Sequence, residues 1–135
     1  MKKNNFVLVS IIAIMFLSNA IFAQSKFDKW TELKEFHTIM SQTFHPSEDG
    51  NLEPIKSRSA EMVTKAELLS KSKIPTEFDK KEVKEAITKL VIDSKKLNDM
   101  VINKTTDEIL KKTLSELHDT FHLIVERCTP DDQQH

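Results

Sequence analysis

Glycine is almost absent from this chain, and this limits the folds that the chain can adopt. Gly50 is the single glycine among 135 residues, and no tyrosine occurs. Strands that bury one face show apolar and polar residues in alternation. Here the β-branched residues never alternate with polar ones over a strand's length. Helix is therefore the default throughout, and the sequence predicts an all-α protein.

Apolar residues spaced three and four positions apart divide the chain into helical segments. We expect four helices, at about 26–44, 52–73, 79–104 and 106–128. Side chains that can cap these helices stand near their starts: Ser25, Asn51, Asp79 and Thr105. Pro46 is expected to end the first helix, and Gly50 permits a positive φ in the loop that follows. Short connections then predict one domain at 24–130, an antiparallel up-down-up-down four-helix bundle.

Residues 1–23 have the pattern of a secretory signal peptide. Lys2 and Lys3 form a basic start, an apolar run follows over 6–17, and Ala23 ends a plausible cleavage site. The apolar run is too short for a comfortable membrane span. We therefore expect a periplasmic or secreted protein that is not an integral membrane protein after processing.

The charge and cysteine content of the processed chain narrow its partners. Removing 23 of the 135 residues leaves 112, and the loss of two lysines changes the formal net charge from -1 to -3. This balance disfavours a nucleic-acid partner. Cys128 is the single cysteine, so no internal disulfide can form, and its seam position predicts a buried, unreactive thiol. We expect 131–135 to be a disordered tail.

Two histidines stand four residues apart in the last predicted helix. His118 and His122 therefore share one helix face, where both imidazoles can reach the same metal ion. The adjacent Leu117 and Phe121 lie near the centre of the apolar seam, so the pair should border the core. One packed histidine beside one solvated histidine is the alternative interpretation.

His37 stands where the first helix is expected to carry an apolar residue. It belongs to a series at three-then-four spacing, which is Trp30, Leu33, His37, Met40 and Phe44. In an antiparallel bundle His37 and His118 both lie about 15 Å from the same end. A core histidine bonded to a neighbouring hydroxyl is the alternative to a metal ligand, because a buried imidazole needs a partner.

Other donors are expected at about the same height in the bundle. Met40 lies about one turn from His37, and the corresponding level of the second helix falls near Glu61 and Met62. Any of these three could complete a cluster of His37 with the histidine pair. His45 lies about 12 Å above His37 if the helix is regular. It is then either a separate rim ligand or a helix-terminal imidazole that interacts with exposed carbonyls.

A resemblance to known proteins rests on the histidine of the first helix, a carboxylate or thioether on the second, and the histidine pair on the fourth. This layout resembles the small periplasmic four-helix-bundle metal sensors and binders of the nickel/cobalt-resistance type. Segments 43–46 and 52–55, with 117–122, are also similar to an uncharacterised group of exported bundle proteins. The resemblance implies four ligands: His37, His45, His118 and His122. The closely spaced first-helix histidines of the sensors are lacking here.

A more distant likeness is to cytochrome b562-like bundles, which share the length, the export and a late histidine, here His122. Haem b is therefore an alternative cofactor, although Met40 is too far along the first helix to match the methionine ligand of those cytochromes. A third hypothesis is a metal-free interaction or chaperone bundle, and a protein partner or homodimer stays open. No catalytic motif is found, so we expect a non-enzyme.

The principal hypothesis is a metal-binding protein for sensing, buffering or delivery. Its expected ligands are drawn from six residues: His37, His118, His122, Met40, His45 and Glu61. Imidazole suits zinc, copper and nickel alike, while a thioether would favour copper(I). The sequence leaves the choice among these metals open.

Overall fold

The computed structural model describes residues 26–128, and within this range every element of secondary structure is helical. A helical turn at residues 26–29 precedes Trp30. The longer helices are α1 at Thr31–Glu48, α2 at Glu53–Lys71, α3 at Lys81–Ile102 and α4 at Asp107–Arg127, with a 3₁₀ turn at Thr76–Phe78. The predicted all-α class is confirmed. The predicted leader, the Ser25 cap and the C-terminal tail lie outside the described residues.

Each helix packs on the next one along the chain, and α1 also contacts α4. Between α1 and α2, Gln42 bonds to Arg58 and Glu35 to Lys65. Residue numbers therefore decrease along α2 in the direction in which they increase along α1. The contacts between α1 and α4 are the sparsest of the four interfaces. None of the described helices is long and apolar enough to cross a membrane.

The core is built from apolar side chains of all four helices. Phe36, Met62, Leu90 and Leu117 are all essentially inaccessible to solvent. Burying a side chain of this size stabilises the fold by about 1.5–3 kcal/mol relative to leaving it exposed. At one end Trp30 lies in the core and donates its indole N–H to Ser72 Oγ at 2.8 Å.

The first helix differs from its predicted bounds because Pro46 does not end it. Pro46 lies inside α1, which continues to Glu48. Proline removes one backbone donor, but only two helical residues follow it, and Ser47 Oγ donates to the Phe44 carbonyl at 2.6 Å. Gly50 follows with a φ of +84°, as its place in the loop predicts.

The predicted caps have mixed outcomes. Asn51 Oδ1 accepts the backbone N–H of Glu53 at 3.1 Å, so this residue does support the start of α2. Asp79 instead forms an ion pair with Lys84 at 2.6 Å, and α3 begins at Lys81. Thr106, not Thr105, immediately precedes α4, and no side-chain cap bond forms there. The caps predicted at Asp79 and Thr105 were therefore wrong.

Candidate metal centre

A groove of about 240 Å³ lies between α1, α4 and the helical turn before Trp30. Four histidines and one methionine line it, which are His37, Met40, His45, His118 and His122. Apolar side chains, including Phe27, Phe121 and Val125, form much of the remaining wall. The groove follows the sparsest helix interface, where the two helices leave space for side chains to face each other.

The histidine pair of α4 converges on one point. The Nε2 atoms of His118 and His122 are 3.1 Å apart, and the two ring planes are inclined by 78°. Leu117 and Phe121 beside them are buried, while His118 is half-buried and His122 is exposed. The prediction that this pair borders the core is confirmed.

This separation suits two ligands of one metal ion. Two nitrogens 3.1 Å apart can each lie about 2.05 Å from an ion if the angle at the ion is about 98°. In the absence of an ion the same approach requires one Nε2 to donate a proton to the other. Metal binding would replace that shared proton, with both rings then protonated on Nδ1.

The electrostatics around His118 favour its neutral form, which is the form that binds metals. Burial lowers the pKa of His118 most, and the positive charge of His122 lowers it further. Asp119 and Glu48 act in the opposite direction without reversing the shift. The ring nitrogen of His118 therefore keeps its lone pair available to a metal ion at pH values where an ordinary histidine is already protonated.

Phe44 fixes the plane of the His118 ring. The two ring centroids are 3.7 Å apart and the planes are inclined by only 10°. Phe44 was predicted as a seam residue of the first helix, yet it is half-buried and packs on the histidine. Nothing in the spacing of the sequence indicated this stacking partner, because it depends on how α1 and α4 meet.

His37 lies on the groove but not in the core seam, where the sequence placed it. Phe36 takes the buried position, and His37 is exposed. Leu33, Phe36 and Met40 are buried, so the buried stripe of α1 runs through residue 36 and leaves residue 37 beside it. The expectation that His37 faces the core was therefore wrong, although it does share the groove with the histidine pair.

Aromatic rings hold His37 against the groove wall. Its ring stacks on Phe27 at a centroid distance of 4.5 Å and on Phe121 at 5.6 Å, with interplanar angles of 9° and 14°. Although much of the residue is exposed, the groups packed around its ring displace water and lower the pKa of His37 most, and the charges of His122 and His45 lower it further. Like the pair on α4, His37 is thus disposed to stay neutral. Phe27 is a site residue that the sequence did not reveal.

His45 reaches the rim of the same groove from the last turn of α1. Its Nδ1 lies 3.0 Å from Glu48 Oε2. A carboxylate that accepts the Nδ1 proton orients the ring and leaves Nε2 as the metal-binding atom. Because Pro46 stays within the helix, His45 and Glu48 keep the i, i+3 spacing that this contact needs.

The remaining candidates separate. Met40 is buried, with 1% of its surface exposed, and it lines the groove. Glu61 does not line the groove, because its carboxylate accepts two hydrogen bonds from Arg58, at 2.8 and 3.0 Å, on an exposed face of α2. Met62 lies in the core. Glu61 and Met62 were chosen because they were expected at the height of His37 in the bundle, but residues at the same height can lie on different faces of their helices.

Further donors would have to move for a full metal site to form. Among the described residues, no group of three or more His, Cys, Asp or Glu side chains is arranged to hold a metal ion. The two Nε2 atoms of α4 are the donors already in place. Comparisons of the chain with protein-family models, curated proteins and solved structures give no match.

Proposed function

We propose that this chain is an exported transition-metal-binding protein that senses, buffers or delivers its ion and catalyses no reaction. The observation that carries the proposal is the convergence of His118 Nε2 and His122 Nε2 at 3.1 Å in the wall of a groove. His37 and Met40 line the same groove from α1 and would supply further donors. His45, oriented by Glu48, is the donor at the rim.

The architecture that we propose for the processed chain is an up-down-up-down four-helix bundle behind a cleaved leader. The contacts of Gln42 with Arg58 and of Ser59 with Asn98 support antiparallel neighbours along the chain. Ligands from α1 and α4 would join the first and last helices, whose mutual contacts are the sparsest. In this arrangement the ion adds contacts between two helices that have few of their own.

The groove dimensions favour an ion over haem. Its volume of about 240 Å³ lies below the ~300–1,000 Å³ of pockets for drug-sized ligands. A haem macrocycle is larger than most such ligands and would require α1 and α4 to separate. A metal-free interaction bundle would leave the facing imidazoles without a role, so the binding experiment also tests that alternative.

The proposal is tested by titrating the metal-free protein with Zn(II), Ni(II) and copper in competition with chelators of known affinity. His118→Gln and His122→Gln remove one nitrogen ligand each, and Glu61→Gln is the matched control because Glu61 lies away from the groove. We expect each histidine variant to lose about 100-fold or more in affinity, or roughly 3 kcal/mol, with little change in Glu61→Gln. Circular dichroism confirms that each variant is folded.

Two results would refute the proposal. A wild-type protein that takes up none of these metals, and shows no Soret absorption with haem, would support the metal-free alternative. Unchanged affinity in both histidine variants would place the bound ion elsewhere. A Soret band with haem but no retention of metal ions would instead favour the cytochrome-like alternative.

A further inference from the structure

The donors that line the groove carry no negative charge, and one of them is soft. They are imidazole nitrogens, the Ser41 hydroxyl and the thioether of Met40, and the described lining residues include no Asp, Glu or Cys side chain. Glu48 contacts the outer nitrogen of His45 and does not line the groove. A site of this kind cannot neutralise the charge of the ion that it binds.

We propose that the ion is copper(I), held by His118, His122 and the sulfur of Met40. This inference rests on the proposed function and selects among the metals that imidazole alone would accept. Thioether sulfur favours copper(I), whereas carboxylate and thiolate ligands are common in zinc sites. Imidazole and thioether both suit copper.

The charge of the ion supports the same choice. The cost of moving an ion from water into a less polar site rises with the square of its charge, so a divalent ion costs about four times as much as a monovalent one. Buried Met40 and Phe121 make this wall of the groove apolar. With neutral ligands, a singly charged ion is therefore the less costly occupant.

The two imidazole nitrogens require only a small adjustment. Three ligands in a plane around an ion, with bonds of about 2.0 Å, place neighbouring nitrogens about 3.5 Å apart. The Nε2 atoms of His118 and His122 are 3.1 Å apart, so the rings need to open by a few tenths of an ångström. The side chain of methionine is flexible enough for its sulfur to adjust to the third position.

Phe44 and Phe27 contribute to this site through their stacked rings. Phe44 covers one face of His118 and Phe27 stacks on His37. These contacts restrict the orientation of the two imidazoles.

The experiment compares Met40→Leu with Met62→Leu in the full processed chain. Both methionines are buried, but Met62 lies in the core away from the groove, so it controls for the loss of a thioether. Leucine has nearly the volume of methionine and is well tolerated in its place in a core, which allows both variants to fold. Affinities for copper(I) are measured without oxygen against a chromophoric chelator, and affinities for Zn(II) in a parallel titration.

We expect wild-type protein to hold copper(I) more tightly than Zn(II). Met40→Leu should weaken copper(I) binding by about tenfold or more and change Zn(II) binding by less than about twofold, with Met62→Leu unchanged for both ions. X-ray absorption of the copper-loaded wild-type protein should show a sulfur neighbour beside the nitrogens. This second measurement decides the matter even if Met40→Leu does not fold.

A Met40→Leu variant with wild-type copper(I) affinity, or absorption data without a sulfur neighbour, would overturn the inference. Tighter binding of Zn(II) or Ni(II) than of copper(I) would overturn it too, while a loss of that binding in His118→Gln would leave the proposed function intact. Failure of the wild-type protein to bind any metal would refute both proposals.

Discussion

Cys128 and Lys26 meet at the end of the bundle where the described chain begins and ends. The Cys128 thiol is completely buried, which confirms its predicted burial, and this burial raises its pKa to about 11. Lys26 Nζ donates to the Val125 carbonyl at 2.8 Å, and burial lowers its pKa. The two groups therefore affect stability in opposite directions at alkaline pH.

This burial of Cys128 predicts a loss of stability above pH 9. In the unfolded chain the thiol ionises near pH 9, while in the native protein it stays protonated to about pH 11. The native state binds more protons in this window, so stability falls as pH rises, by about 2–3 kcal/mol in total. Denaturant unfolding of the wild type and Cys128→Ala from pH 8 to 11 should show a difference that shrinks by this amount.

Lys26 is present in both proteins, but the charge of Cys128 raises its pKa, so the comparison reports the thiol together with its interaction with Lys26. The unfolded chain holds the Lys26 proton to a higher pH than the native state does, so its contribution rises with pH where that of Cys128 falls. A stability difference independent of pH would show that Cys128 ionises as readily in the native protein as in the unfolded chain.

Two buried serines provide a second comparison at the level of single residues. Ser94 Oγ is buried and has no hydrogen-bond partner among the described residues, while Ser59 Oγ donates to Asn98 Oδ1 at 2.8 Å. We expect Ser94→Ala to be neutral or stabilising and Ser59→Ala to destabilise by about 1 kcal/mol. Urea unfolding measures both, and a larger loss in Ser94→Ala would reveal a partner for its hydroxyl.

The sequence predicted those features of the site that depend on a single regular helix. The position of His118 and His122 at the edge of the seam follows from α4 alone, which is unbroken from Asp107 to Arg127. His37 was misplaced because positions 36 and 37 both fit the helical spacing of the seam, and Phe36 takes the buried place. The stacking of Phe27 and Phe44 depends on contacts between elements. Spacing in a sequence carries no information about such contacts.

Among the elements, the turn between α1 and α2 shows how the chain ends a helix that contains proline. Pro46 O accepts the backbone N–H groups of Asp49, at 3.2 Å, and Asn51, at 2.9 Å. Gly50 between them has a φ of +84°. A Cβ atom added at residue 50 would have no neighbouring atom within 4 Å. A side chain there would therefore destabilise the protein through the backbone conformation and not through crowding.

Gly50→Ala should therefore destabilise the protein by about 1 kcal/mol, because an L residue with a side chain adopts this φ at a cost. Gly50→Asn should lose less, since asparagine tolerates the left-handed region better than alanine. Thermal unfolding of the two variants measures the difference. Equal stability of Gly50→Ala and the wild type would mean that the turn relaxes to another conformation.

The ends of the elements were harder to predict than their existence. Four long helices were expected and α1 to α4 are observed in the described range, but Pro46 and the caps at Asp79 and Thr105 misled the assignment of ends. Helix ends depend on a few local hydrogen bonds of about 1 kcal/mol each. The ion pair of Asp79 with Lys84 shows how easily another contact takes the place of a cap.

For the whole molecule, the groove follows from unequal packing of the helices. The α1–α4 interface is the sparsest, and the histidines gather there. The sequence indicates which helices carry histidines but not which interface stays open, because this depends on the sizes of side chains on all four helices. An ion bound only by the folded state would stabilise this interface, by about 2.7 kcal/mol at a concentration 100 times its Kd.

Native mass spectrometry of the processed protein tests most directly whether the histidine pair of α4 holds a metal ion. The wild type, loaded and then freed of excess ion, should carry one transition-metal ion per chain and lose it to a chelator. The double variant His118→Gln/His122→Gln should carry none, with Glu61→Gln behaving as the wild type. One retained ion per chain in the double variant, or none in the wild type, would contradict the assignment of this site.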